Sequence, residues 1–269
     1  MRLALHFDFP GLQNSLLELI PDLEIILLSS ESHSELPADF DADILLTSSH
    51  LVKSNLKQIL SQCDSLKWVH VFGTGIDNFP LKLIKDCTLT CGRGASSVPI
   101  AEWALAMMLS FEKGLPESWI QSQPEDWFAA PKLGTLANKT LGLIGFGTIG
   151  QEIAKRALAF DMKVLAKVRS YRDSPMEGVE LIENLEEILK KSDHLVLALP
   201  ATPESQNLIN SDALAKTKVG VHIVNVARAS ILDQEALKSF LDSTHVARAS
   251  LDVITPEPLT NGHWAYEHP

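Results

Sequence analysis

The chain has 269 residues, 45% of them hydrophobic and 21% charged, with a formal net charge of -11. This is the composition of a chain that folds, long enough for two lobes, and not that of a disordered segment. The acidity argues against a general nucleic-acid-binding surface, and no run approaches the roughly 18 consecutive apolar residues of a membrane-spanning helix.

Read from the N-terminus, Asp8 and Pro10 interrupt the first apolar run before a signal-peptide core could form, so the segment is expected to be a strand and the location cytoplasmic, with no membrane partner. Short apolar runs follow at 2–7 (RLALHF), 23–28 (LEIILL), 42–47 (ADILLT) and 66–71 (LKWVHV), separated by helical or loop segments. That is the pattern of parallel strands covered on both faces. Three cysteines, Cys63, Cys87 and Cys91, form no paired framework and read as thiols of a reducing compartment; no metal site is expected, because Cys87 and Cys91 lack a second Cys or His pair nearby.

The stretch 97–114 (SVPIAEWALAMMLSFEKG) is apolar at helical spacing with almost no polar face, which predicts a buried helix joining two halves. After a Pro-, Trp- and Gly-bearing segment, a second series of strands is predicted at 140–145, 163–168, 194–199, 221–226 and 246–253. The fold class is therefore α/β, with two doubly wound parallel-sheet lobes, 1–94 and 95–269. No short-period repeat or low-complexity tract interrupts them.

The second lobe opens with LGLIGFGTIGQEIAKRAL, in which Gly145, Gly147 and Gly150 have GxGxxG spacing, with Thr148 and Ile149 between the last two. In such a turn the first glycine allows the tight bend, the second lets backbone amides approach a pyrophosphate, and the third allows close helix–strand packing. The strand–turn–helix context makes this a Rossmann dinucleotide-binding domain. At the end of the next strand an acid would pair with a ribose 2'-hydroxyl, whereas cations would take a 2'-phosphate. The sequence there is VLAKVRSYR: Val168 stands at the acid position, followed by Arg169, Ser170 and Arg172. Forked guanidinium donors and a hydroxyl match a phosphate, which favours NADP with NAD as the alternative. The competing reading is that the two arginines are solvated loop charges.

Six segments in order, FGTGIDNFP (72–80), VPIAEWALAMML (98–109), LGLIGFGTIGQEIA (141–154), SDHLVLALPATPESQNLIN (192–210), VNVARASILDQEAL (224–237) and SLDVITPEPL (250–259), together resemble the D-isomer-specific 2-hydroxyacid dehydrogenases. That family includes glyoxylate/hydroxypyruvate reductases and phosphoglycerate dehydrogenase. Residues 1–65 fit the weaker pattern of the family's first, flavodoxin-like, substrate-binding lobe.

The resemblance implies hydride transfer between a nicotinamide and C2 of a small 2-keto or 2-hydroxy acid, and a homodimer. Arg228 matches the arginine that holds the substrate carboxylate and polarises the ketone. Gly73, Thr74 and Gly75 match the loop whose amides grip the same carboxylate, with a looser match around Ser48 and Ser49. Pro200 matches the cofactor-side strand end, and Asp252 the residue orienting the nicotinamide carboxamide. Glu257 matches the acidic partner that raises the pKa of a catalytic histidine.

Two departures are small: Ala198 and Ala229 stand where the family often has histidine and glycine. The third is larger. The histidine that Glu257 would serve falls, in the family, beyond the next strand, and the sequence is expected to be cut short before it. His263 and His268 are expected in a solvent-exposed linker, and His70, His194 and His222 in or beside strands as packed residues. Binding of the nucleotide without turnover, by a sensor or scaffold module, is the reading from a different class.

Overall fold

The computed structural model of the chain describes every residue except 32–35, 38, 39, 78, 121, 124, 127–132, 171, 172 and 269, and the side chains of residues 52 and 53. It divides into two units, Met1–Ser96 and Ser97–Pro269.

In the first unit the apolar runs form β1 (Arg2–Leu5), β2 (Glu24–Leu27), β3 (Ile44–Ser48), β4 (Trp68–Phe72) and β5 (Thr88–Cys91), with α1 (Leu12–Leu19) after β1 and α2 (Leu56–Gln62) after β3. The strands pair in parallel in the order β2-β1-β3-β4-β5, the flavodoxin-like order. Ala4, Leu45, Val69 and Val71 on one sheet face pack with Leu56 and Ile59 of α2, while Leu3, Leu5 and Leu23 make a smaller core on the other face.

The second unit begins with α3 (Ser97–Glu112), followed by β6 (Thr140–Ile144), α4 (Thr148–Ala159), β7 (Lys163–Lys167), β8 (Val179–Ile182), α5 (Leu185–Lys191), β9 (His194–Leu197), α6 (Ser211–Leu214), β10 (Val221–Asn225), α7 (Gln234–Asp242) and β11 (Val246–Leu251). All six strands are parallel, in the order β11-β10-β9-β6-β7-β8. This order reverses direction between β6 and β9, where Leu143 of β6 lies opposite Val196 of β9. In doubly wound sheets the crevice for a ligand opens at that point, beyond the carboxyl ends of the strands.

Helix α3 belongs to this unit: Ala101, Ala104, Leu105 and Met108 pack against Leu141, Leu143, Val196 and Val224 on one face of the sheet. Ile144, Leu195, Leu197 and Ile223 face the opposite core with Ile188 of α5 and Leu237 and Leu241 of α7. Strands β9 and β10 are buried along their whole length, which is why they read as unbroken apolar runs. Side-chain caps start the helices on this face: Asn184 accepts from Glu186 N–H, Asn210 from Ala213 N–H and Asp233 from Ala236 N–H, each satisfying an amide that the helix leaves unpaired.

The structure corrects the expected strand count. Among the described residues the second unit has six strands, the extra one being β8, and the first unit has β5 beyond the four apolar runs. Both are four-residue edge strands, and β5 alternates exposed with half-buried positions. A strand paired on one side needs no long apolar run, so the sequence signal is weak.

Candidate functional site

Two of the three glycines after β6 are required by the chain itself. Gly145 has φ +104°, and a Cβ there would lie 2.5 Å from the Ala198 carbonyl oxygen, where β9 ends beside the turn. A Cβ on Gly150 would press on the Gly145 carbonyl oxygen, so α4 can rest on the turn only without one. Gly147 differs: it has an ordinary φ of -83°, and a Cβ built on it meets nothing within 4 Å. Its missing side chain leaves open space at the start of α4, where no side chain caps the helix. Exposed amides at the N-terminus of a 12-residue helix, with a clear approach, are an anion site.

Next to this turn lies a cavity of about 610 Å³ lined by Gly145, Phe146, Val168, Arg169, Ser170 and Pro200, with Lys167, Thr202, Glu204 and Ser205 completing its polar wall. Val168 is buried, and Arg169 and Ser170 are exposed, so the expected cofactor residues of the β7 end do reach one cavity with the glycine turn. Arg172 lies outside the described residues. Thr148 and Ile149 form the first turn of α4. The open cradle at Gly147, the helix amides and the adjoining cavity fit the pyrophosphate and adenosine portions of a dinucleotide.

At the other end of the sheet crevice, Arg228 follows β10 in an extended conformation, half-buried. Asn225, the buried last residue of β10, builds the turn that carries it. The Asn225 side chain accepts from Ala227 N–H at 3.0 Å and donates to the Arg228 carbonyl at 3.1 Å, while its own carbonyl accepts from Asp252 N–H at 3.0 Å. Arg228 Nη1 donates to the Ala227 carbonyl at 2.7 Å. One asparagine thus fixes the positions of both Arg228 and Asp252. Its signal in the sequence is slight, an amide at a strand end two residues before a turn.

Glu257 is exposed, and among the described residues it has no hydrogen-bond or ion-pair partner. Its loop is tied to α7 by the Gln234 carboxamide, which donates to the Thr255 carbonyl and accepts from Thr255 N–H, both at 3.2 Å. The expected exposed linker at His263 and His268 is not what forms. His263 is half-buried and caps a short 3-10 turn, Trp264–Tyr266, by accepting from Ala265 N–H, and His268 pairs with Asp242 at 3.4 Å. His194 and His222 are fully buried as expected, whereas His70 is half-buried at the side of β4 and shares Thr90 with Trp68.

In the first unit, Gly73 has φ +102°, and its carbonyl accepts from Gly92 N–H at 2.8 Å, locking the loop after β4 to the end of β5. Thr74 is exposed and Gly75 half-buried. Ser48 caps the short turn that includes Ser49 by accepting from His50 N–H. Cys63 is buried and Cys87 and Cys91 are half-buried; among the described residues no group of His, Cys, Asp and Glu could hold a metal ion, and no helix is long and apolar enough to cross a membrane.

The strand order, the glycine turn and the cavity at the switch point define a dinucleotide-binding Rossmann domain joined to a flavodoxin-like unit. Residues 105–269 match the sequence model of the D-isomer specific 2-hydroxyacid dehydrogenase NAD binding domain. The chain is 35% identical over 243 residues to a hydroxypyruvate reductase of Thermotoga maritima, covering 81% of this chain and 78% of that protein. It is 31% identical over 226 residues to a D-3-phosphoglycerate dehydrogenase of Methanocaldococcus jannaschii, covering 81% of this chain but only 42% of the relative. Among solved structures, a D-lactate dehydrogenase from Aquifex aeolicus complexed with NAD and lactic acid superposes with a TM-score of 0.76 at 27% identity, covering 96% of this chain and 78% of that one. The chain belongs to the D-isomer-specific 2-hydroxyacid dehydrogenase family, a family of oxidoreductases that use a nicotinamide dinucleotide.

Proposed function

We propose that this chain binds NADP(H) in preference to NAD(H) and acts on C2 of a short D-2-hydroxy or 2-keto acid. The observation that carries the reading is the Asn225 bracket, which fixes Arg228 and Asp252 on the same side of the sheet as the glycine turn, beyond the carboxyl ends of the strands. The dinucleotide, when bound, supplies or accepts the hydride.

The protein's residues do the rest. Arg228 takes the substrate carboxylate and draws charge from the ketone, and an oriented guanidinium also sets which face of C2 is presented. By the family resemblance the amides of Gly73, Thr74 and Gly75 are donors to a substrate carboxylate, with Gly73 held in the left-handed region that its loop requires. Asp252 accepts from the nicotinamide carboxamide. Glu257 would stabilise a protonated imidazole; none of the described histidines lies against it, so the residues assigned here account for orientation and charge and not for the proton. Arg169 and Ser170 take a 2'-phosphate. The names of the relatives point to short acids such as hydroxypyruvate and lactic acid, and a cytoplasmic homodimer completes the reading.

The test follows oxidation of NADPH and of NADH with glyoxylate, hydroxypyruvate and phenylpyruvate, alongside fluorescence titration of both nucleotides. Turnover favouring NADPH is expected, with Arg228→Ala lowering kcat/KM by about a thousandfold and leaving nucleotide affinity within twofold. Tight nucleotide binding without turnover on any of these acids would leave a nucleotide-binding module and remove the enzymatic reading.

A further inference from the structure

The cavity beside the glycine turn is not uniformly cationic. Lys167 and Arg169 lie on its wall, and so does one acid, Glu204. It stands in the loop after β9, away from the end of β7, where an acid that reads a ribose is ordinarily sought. The loop is firmly built. Buried Ser205 accepts from Thr202 N–H at 2.8 Å and donates to the Pro200 carbonyl at 3.0 Å, so the backbone on either side of Glu204 is pinned. The Glu204 carboxylate itself is exposed. A hydrogen bond from the Thr202 hydroxyl, a second from its own backbone amide, and the Arg169 charge hold it below the usual carboxylate range. An anion therefore shares one cavity wall with Arg169, close enough for the two charges to act on each other.

We propose that Glu204 is a specificity-determining residue of the cofactor site, opposing the 2'-phosphate that Arg169 and Ser170 attract, so that the balance between NADPH and NADH is set across the cavity. The inference rests on the NADP reading above. A phosphate entering beside Arg169 meets a second anion, Glu204, on the wall of the same cavity, and the two anions repel. A ribose 2'-hydroxyl meets no such opposition, since it can donate to a carboxylate. The same side chain thus weighs against one cofactor and accommodates the other.

The test is fluorescence titration of NADPH and NADH into the whole 269-residue protein, comparing wild type with Glu204→Gln, Glu204→Ala and Arg169→Ala. Both Glu204 variants are expected to raise the ratio of NADPH to NADH affinity by about tenfold, with an unliganded melting temperature equal to wild type because the side chain is exposed. A ratio that stays constant or falls in both variants overturns the proposal. Arg169→Ala judges the reading beneath it. Loss confined to NADPH supports a 2'-phosphate site at Arg169, and equal loss for both nucleotides removes that site whatever the Glu204 ratio shows.

Discussion

At Gly145, Gly147 and Gly150 the same amino acid is present for different reasons, and the difference can be measured. Gly145 combines a left-handed backbone with a clash against the Ala198 carbonyl, so Gly145→Ala is expected to cost about 2 kcal/mol or more in chemical unfolding. Gly147 has neither restraint. Gly147→Ala is expected to leave unfolding within about 0.5 kcal/mol of wild type and to weaken dinucleotide binding at least about tenfold, because its methyl group would enter the space a pyrophosphate needs. Equal stability loss for both variants would assign Gly147 a structural role. The glycine spacing was legible in the sequence, as were Val168, Arg169 and Ser170, because one-dimensional order alone places them after a strand. Glu204 was not, since only the fold brings the loop after β9 to the end of β7. Asn225 and Gln234 escaped for a related reason: each acts through the backbone of a distant segment, and no local spacing announces such a bond.

Among elements, the contact of α3 with the sheet holds an unusual polar chain. Glu112, the last residue of α3, is 5% exposed and accepts from Lys139 Nζ at 2.9 Å. His194 Nε2 meets the same carboxylate at 3.0 Å, His194 Nδ1 meets His222 Nδ1 at 3.1 Å, and His222 Nε2 meets Ser250 Oγ at 3.0 Å. With both histidines neutral each contact has one donor and one acceptor: Ser250 donates to His222, His222 to His194, and His194 to Glu112. The Phe111 ring stacks on His222 at 4.7 Å, and Gly134 supplies the space for the Glu112 carboxylate, which a Cβ there would occupy. Burial is the main cause holding His222 down to about 2, with the charges of His194 and Arg248 adding to it, and burial likewise lowers His194 against the opposing pull of Glu112.

The sign of the pH dependence follows. A histidine kept neutral in the fold but free to protonate at about 6.5 when unfolded gives the unfolded state more protons below that pH, so stability is complete above 6.5 and falls as the pH falls. His222 alone is expected to remove about 1.4 kcal/mol by pH 5.5, and the difference in unfolding free energy between pH 7.5 and 5.5 should shrink by that amount in His222→Gln. An unchanged difference would mean that His222 takes up its proton in the fold over the same pH range as in the unfolded chain. The sequence marks His194 and His222 as strand residues, but it gives no sign that Glu112, 82 positions before His194, shares their hydrogen bonds. The edge strands β5 and β8 were illegible for another reason, being short and paired on one side only.

For the molecule as a whole, the division at Ser96 and Ser97 also divides the hydrophobic clusters. Among the described residues two clusters lie within the first unit and two within the second, and none of these draws residues from both. The first unit is the less well covered: α1 buries no residue, and Leu19, Leu27, Trp68 and Phe72 are exposed. Cores that do not share side chains unfold in separate steps when the free energy coupling them is small. Calorimetry of the full chain is therefore expected to resolve two transitions, the lower belonging to the first unit, which buries less apolar surface. The glycine turn and its cavity lie wholly in the second unit. Dinucleotide at a hundred times its Kd adds about 2.7 kcal/mol to that unit alone, which raises the upper transition by about 5 to 10 °C and leaves the lower one fixed. If both transitions rise together, or only one is seen at every nucleotide concentration, the two units are energetically coupled and the cofactor stabilises residues 1–96 as well.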